Sequence, residues 1–253
     1  MNNYKDALRV WQRNFLYFKK TWLVSLFWTV LEPLVYLGAI GFGLGAFVSN
    51  IQGLSYLEFF FPALLCTTAM MVAFFEATYG NYTKLTYQKT YATMMLTPLG
   101  PEEIVVGELF WGASKGSLGV VGVLIISFFF GLIDSWKILL TLPVLFLVSW
   151  FFSCFGMIMT SYAKNYDSFI FSVSGIIVPM SLFSGTYFPL EQLPFFIRIF
   201  TYLLPLTHAV QLTRDILFLK LHWYSALSLV YLVVSAVFLA RFAIRRIQAK
   251  LLK

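Results

Sequence analysis

Six apolar runs, each near the length of a bilayer crossing, leave this chain little choice of fold. They lie at approximately 22–48, 59–79, 104–132, 138–161, 168–188 and 223–241. A helical crossing takes roughly 20 mostly apolar residues, so the spans and their short connections account for most of the 253 residues. Charged residues make up 11% of the chain, against about 25% in an ordinary soluble domain. That is too little charge to clothe a globule in water. The expected fold is all-α and polytopic, a single transmembrane domain over 1–253 with no room for a separate soluble catalytic domain.

Ahead of the first span, residues 4–20 read as an amphipathic helix. At about 100° per residue, Tyr4, Leu8, Trp11, Phe15 and Phe18 fall within roughly an 80° arc. Lys5, Arg9, Gln12, Arg13, Lys19 and Lys20 occupy the adjoining side, with Leu16 the one apolar intruder. The pattern fits a helix lying in the membrane interface. The net charge of +7 is carried mainly at the chain ends, beside apolar segments. It points to anionic lipid headgroups rather than nucleic acid.

Lys and Arg counts set the expected orientation. Thirteen lie in the N-terminal segment, the 80–103 loop, the 162–167 loop and the C-terminal tail, against four on the other side, Lys115 set apart. Both termini are expected in the cytoplasm. Within the cytoplasmic connection 80–101, Thr90-Tyr-Ala-Thr-Met-Met-Leu-Thr97 forms a short helix stopped by Pro98, Gly100 and Pro101. The external stretch 189–222 is apolar but broken by Pro189, Pro194 and Pro205. Its pieces, Phe195–Leu204 and Leu206–Leu219, are too short to cross and read as re-entrant or surface helices, which need protein or a wet cavity around their free backbone groups.

Enzymatic readings find little support. Gly107 and Gly112 have P-loop spacing, but Ala113-Ser114 follows where Lys-Ser/Thr is required. His208 and His222 have no ligand cluster around them. Cys66 and Cys154 lie in apolar runs and give no disulfide framework. A Ser184/His208 pair for intramembrane hydrolysis is a chance juxtaposition in one loop. Charges within spans carry more weight, because each is expensive in the bilayer. Glu32 precedes Pro33 inside the first span and should face other helices or a wet cavity. Glu76 lies near the cytoplasmic end of the second span, within reach of water. Glu108 and Lys115 share one face of the third; the plainer reading has Gly116–Ile133 spanning alone and Lys115 snorkelling to the inner surface. Four charges at four depths make no relay for a gradient-driven carrier. Gly41-Phe-Gly-Leu-Gly45 and Gly112, Gly116 and Gly119 place small residues at close-packing spacing.

Local strings add a resemblance. Glu32-Pro-Leu-Val-Tyr-Leu37, Phe75-Glu-Ala-Thr-Tyr79, Gly107-Glu-Leu-Phe-Trp-Gly-Ala-Ser-Lys115 and Tyr166-Asp-Ser-Phe-Ile-Phe171 resemble the ABC-2 family of exporter permeases, in particular the nodulation protein J group of lipooligosaccharide exporters. The most specific string is Phe183-Ser-Gly-Thr-Tyr-Phe-Pro-Leu-Glu-Gln-Leu-Pro194, continued by Leu204-Pro-Leu-Thr-His208. The resemblance covers nearly the whole chain and loosens after His208.

It implies a permease subunit in the bacterial inner membrane, itself without cofactor or enzymatic activity. The partner would be a homodimer mate plus two copies of a separate ATPase subunit that binds ATP and Mg. Residues 1–21 would be a gate helix, with Lys5, Arg9, Trp11, Arg13 and Phe15 as its characteristic residues. Thr90, Tyr91, Met94, Met95 and Leu96 would form the coupling helix docked on the ATPase. Cargo would pass along the first and fifth spans, with Glu32, Tyr36, Glu76, Glu108, Lys115, Tyr187 and His208 as candidate pathway residues. A lipid-linked oligosaccharide or polysaccharide is the expected cargo. Drug-like amphiphile efflux, or a gradient-driven carrier, are the alternatives.

Overall fold

The computed structural model of the protein describes residues 3–48, 50–129, 131 and 136–252. Ten α-helices follow one another among them: α1 (Asn3–Tyr36), α2 (Tyr56–Phe75), α3 (Thr90–Met95), α4 (Pro101–Phe129), α5 (Leu142–Tyr162), α6 (Ser168–Ser172), α7 (Val178–Phe183), α8 (Phe195–Thr201), α9 (Pro205–Leu217) and α10 (Trp223–Leu251). π-helical turns extend α1 through Leu37–Gly43, follow α2 at Glu76–Gly80 and Thr83–Tyr87, and join α6 to α7 at Val173–Ile177. Five helical stretches are long and apolar enough to cross a membrane.

Five of the six expected spans, all but the fifth, form helices long and apolar enough to cross, with altered limits. The amphipathic segment and the first span run on as α1, but Thr21 leaves helical geometry at φ −120° and ψ 16°, so two helices meet at a kink there. The second begins with a reciprocal cap: Ser55 Oγ accepts from the Glu58 N–H, and Glu58 Oε2 accepts from the Ser55 N–H. That satisfies two of the backbone donors a helix start leaves free. The sixth runs well past 241, to Leu251. The fifth is shorter than expected. It stops at Phe183 because Gly185 takes φ +73° and the chain turns away.

Contacts at its two ends nonetheless carry that fifth segment across the bundle. At one end Phe169 packs on Tyr79 and Tyr82, and Tyr82 Oη donates to the Lys164 carbonyl at 2.6 Å. At the other, Tyr187 stacks on Phe60 and Arg214 links Gly185 to Phe59. Those contacts lie near opposite ends of the Tyr56–Tyr87 helix. Both termini gather at the Tyr82 end: Val10 packs with Tyr91 and Ile104, and Lys250 Nζ donates to the carbonyls of Thr160, Ser161 and Ala163. A cation is favoured there by the free carbonyls closing α5.

At the far end, α8 and α9 bend by 82° at the Leu204–Pro205 break, the expected pair of short helices. Arg214 covers exposed backbone around it. Its Nε and Nη2 donate to the Phe59 carbonyl at 3.1 and 2.7 Å, and Nη2 also donates to Gly185 O at 2.9 Å. Pro62 has no N–H for the ladder and crowds the turn before it, so Phe59 lies in a stretch where an outside donor is welcome.

Lipid supplies no hydrophobic drive between helices, so close approach and hydrogen bonds must hold them. A Cβ on Gly116 would lie 2.5 Å from Ser149 Oγ, and one on Gly112 would collide with Ser153 Oγ. Ser153 Oγ meanwhile donates to Leu109 O at 3.1 Å, and Thr160 Oγ1 to Ala77 O at 2.7 Å. Gly112 and Gly116 therefore serve internal packing on α5, while Gly119 admits Thr29 of the first span. On the other side of α4, a Cβ on Gly107 would lie 2.6 Å from both Ala7 O and Val10 Cβ. Gly107→Val should lift the N-terminal part of α1 off α4 at a cost of about 1–3 kcal/mol. Limited proteolysis in detergent should then cleave before Thr21 first, with the remaining bundle intact.

Candidate functional site

Two geometrical features stand out, and the first, near the Tyr82 end, is an alternating ladder of charge. Its uprights are the Tyr56–Tyr87 helix and α4, which run in opposite directions. Lys115 Nζ donates to Glu76 Oε2 at 2.7 Å, and Lys84 Nζ lies 3.3 Å from Glu76 Oε1 and 2.7 Å from Glu108 Oε2. Arg13 Nη1 approaches Glu108 Oε1 at 4.0 Å. Trp111 Nε1 gives Glu76 Oε1 a further hydrogen bond at 2.9 Å. Glu108 is fully buried, and the Lys115 side chain is only 23% exposed. Lys115 therefore points into the bundle and does not snorkel to the inner surface. The carboxylate of Glu76 is likewise engaged instead of free in water.

Local structure makes the ladder possible. The wide π turn at Glu76–Gly80 re-aims its side chains. A Cβ on Gly80 would come within 3.2 Å of all three carboxylate atoms of Glu76, so the glycine leaves room for that group to fold over the helix.

The gate-helix candidates divide. Trp11 Nε1 donates to Ser114 Oγ at 3.0 Å and its ring meets Trp111 edge-on. Arg13 joins the ladder. Arg9 pairs with Asp6 at the surface, and Lys5 and Phe15 are exposed. The stripe buried against protein is Ala7, Val10 and Asn14; of the expected arc, Leu8 and Phe15 face outward while Trp11 and Phe18 meet Trp111. Tyr4 belongs to that arc, but its side chain lies outside the described residues. Both faces are apolar, and the one with the smaller residues at Ala7 and Val10 is the one α4 can approach.

The coupling-helix candidates divide in the same way. Lys89 enters α3 at φ +54°, and the sharp turn sends Tyr91 and Met94 inward against Val10 and Ile104. Burial, together with the carboxylates of Glu108 and Glu76, pushes the Tyr91 phenol well above its usual range. Met95 is partly covered, Thr90 half-buried, and Leu96 is 88% exposed. Of the apolar residues of this candidate coupling helix, Leu96 alone thus projects fully.

The second feature is a cavity of about 830 Å³ between the first span, α2 and α7. Glu32, Tyr36, Glu76, Lys115 and Tyr187 all line it, together with apolar side chains such as Leu64, Met71 and Phe75. Glu108 does not reach the lining and serves the ladder. His208 is elsewhere: Nε2 lies 2.9 Å from the Tyr202 carbonyl and Nδ1 3.0 Å from Ser228 Oγ. A carbonyl only accepts, so Nε2 carries the proton in that bond. This imidazole ties the α8–α9 turn to α10 and stands outside the cavity.

A family model described as ABC-2 type transporter matches residues 7–218. The chain belongs to that family. It is 37% identical over 207 residues to nodulation protein J of Rhizobium leguminosarum bv. viciae, covering 82% of this chain and 80% of the relative. Nodulation protein J of Rhizobium meliloti is 35% identical over 210 residues, with 83% and 80% covered. The inner membrane transport permease YadH of Escherichia coli is more distant, at 23% over 213 residues, with 83% and 82% covered. This ABC-2 chain is a multi-pass transport permease.

Sequence reasoning overlooked Lys84 and the pairing of the charges. The signal was present: acid before base eight residues apart at Glu76 and Lys84, and again seven apart at Glu108 and Lys115, on consecutive antiparallel helices. That order sets opposite charges level at both rungs. Removing one member strands its partner, at roughly 3 kcal/mol or more for a buried pair. Glu76→Gln should therefore lower the melting midpoint in detergent clearly, while Glu76→Gln with Lys115→Met should recover most of the loss. Equal losses that simply add would show that the rung does not couple the helices.

Proposed function

We propose that this chain is the membrane half of an ATP-driven exporter for an amphiphile with a carbohydrate head, acting in the bacterial inner membrane as a homodimer with two copies of a separate ATPase. The observation that carries the reading is the cavity's make-up: long apolar walls for a chain, and the Glu76–Lys115 pair at one end for a polar head. The first span, which forms one wall, is barely covered by the rest of the chain: Val35 is 60% and Tyr36 43% exposed. A surface of that kind in a bundle suits a second copy or lipid-borne cargo.

ATP and Mg belong to the ATPase subunit in this scheme, and coupling runs through the segment 80–101. Leu96 is the contact that reaches out, while Tyr91 and Met94 hold α3 to the N-terminal part of α1. Leu96→Asp should insert and melt normally yet reduce ATPase co-purification at least about tenfold, roughly 1.4 kcal/mol, and stop export. An active complex carrying that aspartate would overturn the coupling role.

The basic residues cluster at the end that holds both termini, which supports a cytoplasmic position for that end. Cysteine labelling in intact cells, on a background lacking Cys66 and Cys154, tests the assignment. Gln192→Cys should react with an impermeant reagent and Lys89→Cys should not; the opposite pattern would invert the topology.

A further inference from the structure

At the end of the bundle away from both termini lies a second, smaller cavity of about 240 Å³. Its character is unlike that of the large one. Glu191, Gln211, Arg214, Asp215 and Lys220 line it, with the rings of Tyr202 and Phe218 at its edge. Gln52 Nε2 donates to Glu191 Oε2 at 3.3 Å, drawing the first external loop over one side. The two acids and two bases balance, so the cavity favours neither an anion nor a cation.

Several polar groups around it are unsatisfied. Ser184 and Thr207 are each 1% exposed, and neither hydroxyl has a hydrogen-bond partner among the described residues. Both residues belong to the cavity wall. A buried hydroxyl without a partner costs free energy of order 1–3 kcal/mol, and a ligand that supplies one recovers it. Arg214 spends Nε and Nη2 on the Phe59 and Gly185 carbonyls. Its Nη1 makes no hydrogen bond among the described residues. The guanidinium is also held 3.7 Å above the Phe59 ring, so those spare donors are fixed in direction.

We propose that this cavity binds one neutral sugar ring. A sugar hydroxyl both donates and accepts, which matches a wall that mixes guanidinium, carboxylate, amide and hydroxyl groups with no net charge. The aromatic edge supplies an apolar face for the ring. The space suits a single ring and is too small and too polar for an acyl chain. The inference rests on the exporter reading only for the source of the sugar: the head of the transported amphiphile, or free saccharide outside the cell.

The test has two arms. In the first, the full-length protein in lipid nanodiscs is titrated with glucose, galactose and N-acetylglucosamine, and binding is read by saturation-transfer difference NMR. At least one should bind saturably. Gln211→Leu should weaken it about tenfold or more, and Thr207→Val, which trades a hydroxyl for a methyl of the same shape, should weaken it as well. Gln192→Leu, outside the cavity, should change nothing. Absence of saturable binding, or equal binding in all variants, overturns the site; Gln211 is partly exposed, so its variant folds even where Thr207→Val does not. In the second arm, the complete complex in proteoliposomes exports either a glycolipid or a sugar-free lipid of the same chain length. Slower export of the glycolipid alone in Gln211→Leu assigns the sugar to the cargo. Unchanged export beside lost binding assigns it to free saccharide. Equal slowing of both lipids overturns the sugar site. If the wild-type complex exports neither lipid, the exporter reading fails while the NMR result still decides the cavity.

Discussion

Charge withdrawn from water inside a bilayer must find opposite charge, and the ladder Lys115–Glu76–Lys84–Glu108–Arg13 is where this permease meets that requirement. Each internal member touches two neighbours of opposite sign. The desolvation of Glu76 and Lys84 is therefore offset from two sides, which a lone ion pair at membrane depth would not achieve. The ladder also fixes register. Sliding α4 by about two turns against the Tyr56–Tyr87 helix, the separation of Glu76 and Lys84, would set Lys115 beside Lys84 and carry Glu108 beyond reach. Glycine packing of α4 against Ser149 and Ser153 then ties that register to α5.

What the sequence revealed, and what it hid, divides along physical lines. The apolar runs were legible because the preference of a residue for lipid belongs to that residue alone. The break at Thr21 and the bend at Pro205 were foreshadowed by a change in amphipathicity and by proline, both local properties. Pairing is a property of two elements. Lys115 alone, at the edge of an apolar run, reads as a snorkelling lysine; only the matching spacing on the previous span turns it inward. The N-terminal helix posed a related difficulty. Lipid and protein both accept an apolar face, so periodicity found the apolar arc but could not tell which part of its flank meets α4. The decision rests with small side chains opposite Gly107. Inside α3 the distinction falls between residues one and two positions apart, Met94 turning in and Leu96 out, which helical phase settles only once the partner surface is known.

The candidate pathway residues show the same division. Glu32, Tyr36, Glu76, Lys115 and Tyr187 come from four separate stretches of chain, and they line one cavity. They share polar or aromatic character inside apolar surroundings, and a folded membrane bundle gathers such groups because each escapes lipid there. His208 met the same criterion and went elsewhere. Its two ring nitrogens found a carbonyl and a hydroxyl within the broken-helix region, where freed backbone groups already needed partners.

The arrangement also bears on how a stroke at one end would reach the cavity. The N-terminal part of α1 is bound to α4 through Gly107, Trp11 and the ladder, and α3 packs on it through Tyr91 and Met94. Beyond the Thr21 kink the same helix becomes the first span, which touches the core sparingly and walls the large cavity. Force applied to Leu96 would therefore act on a body that shares a backbone with the cavity wall, across a joint that has already left helical geometry. Motion of α2 or α4 would break rungs of the ladder, whereas motion of the first span about Thr21 breaks none. On the proposed reading, the ladder keeps the core still so that the span beside it can move.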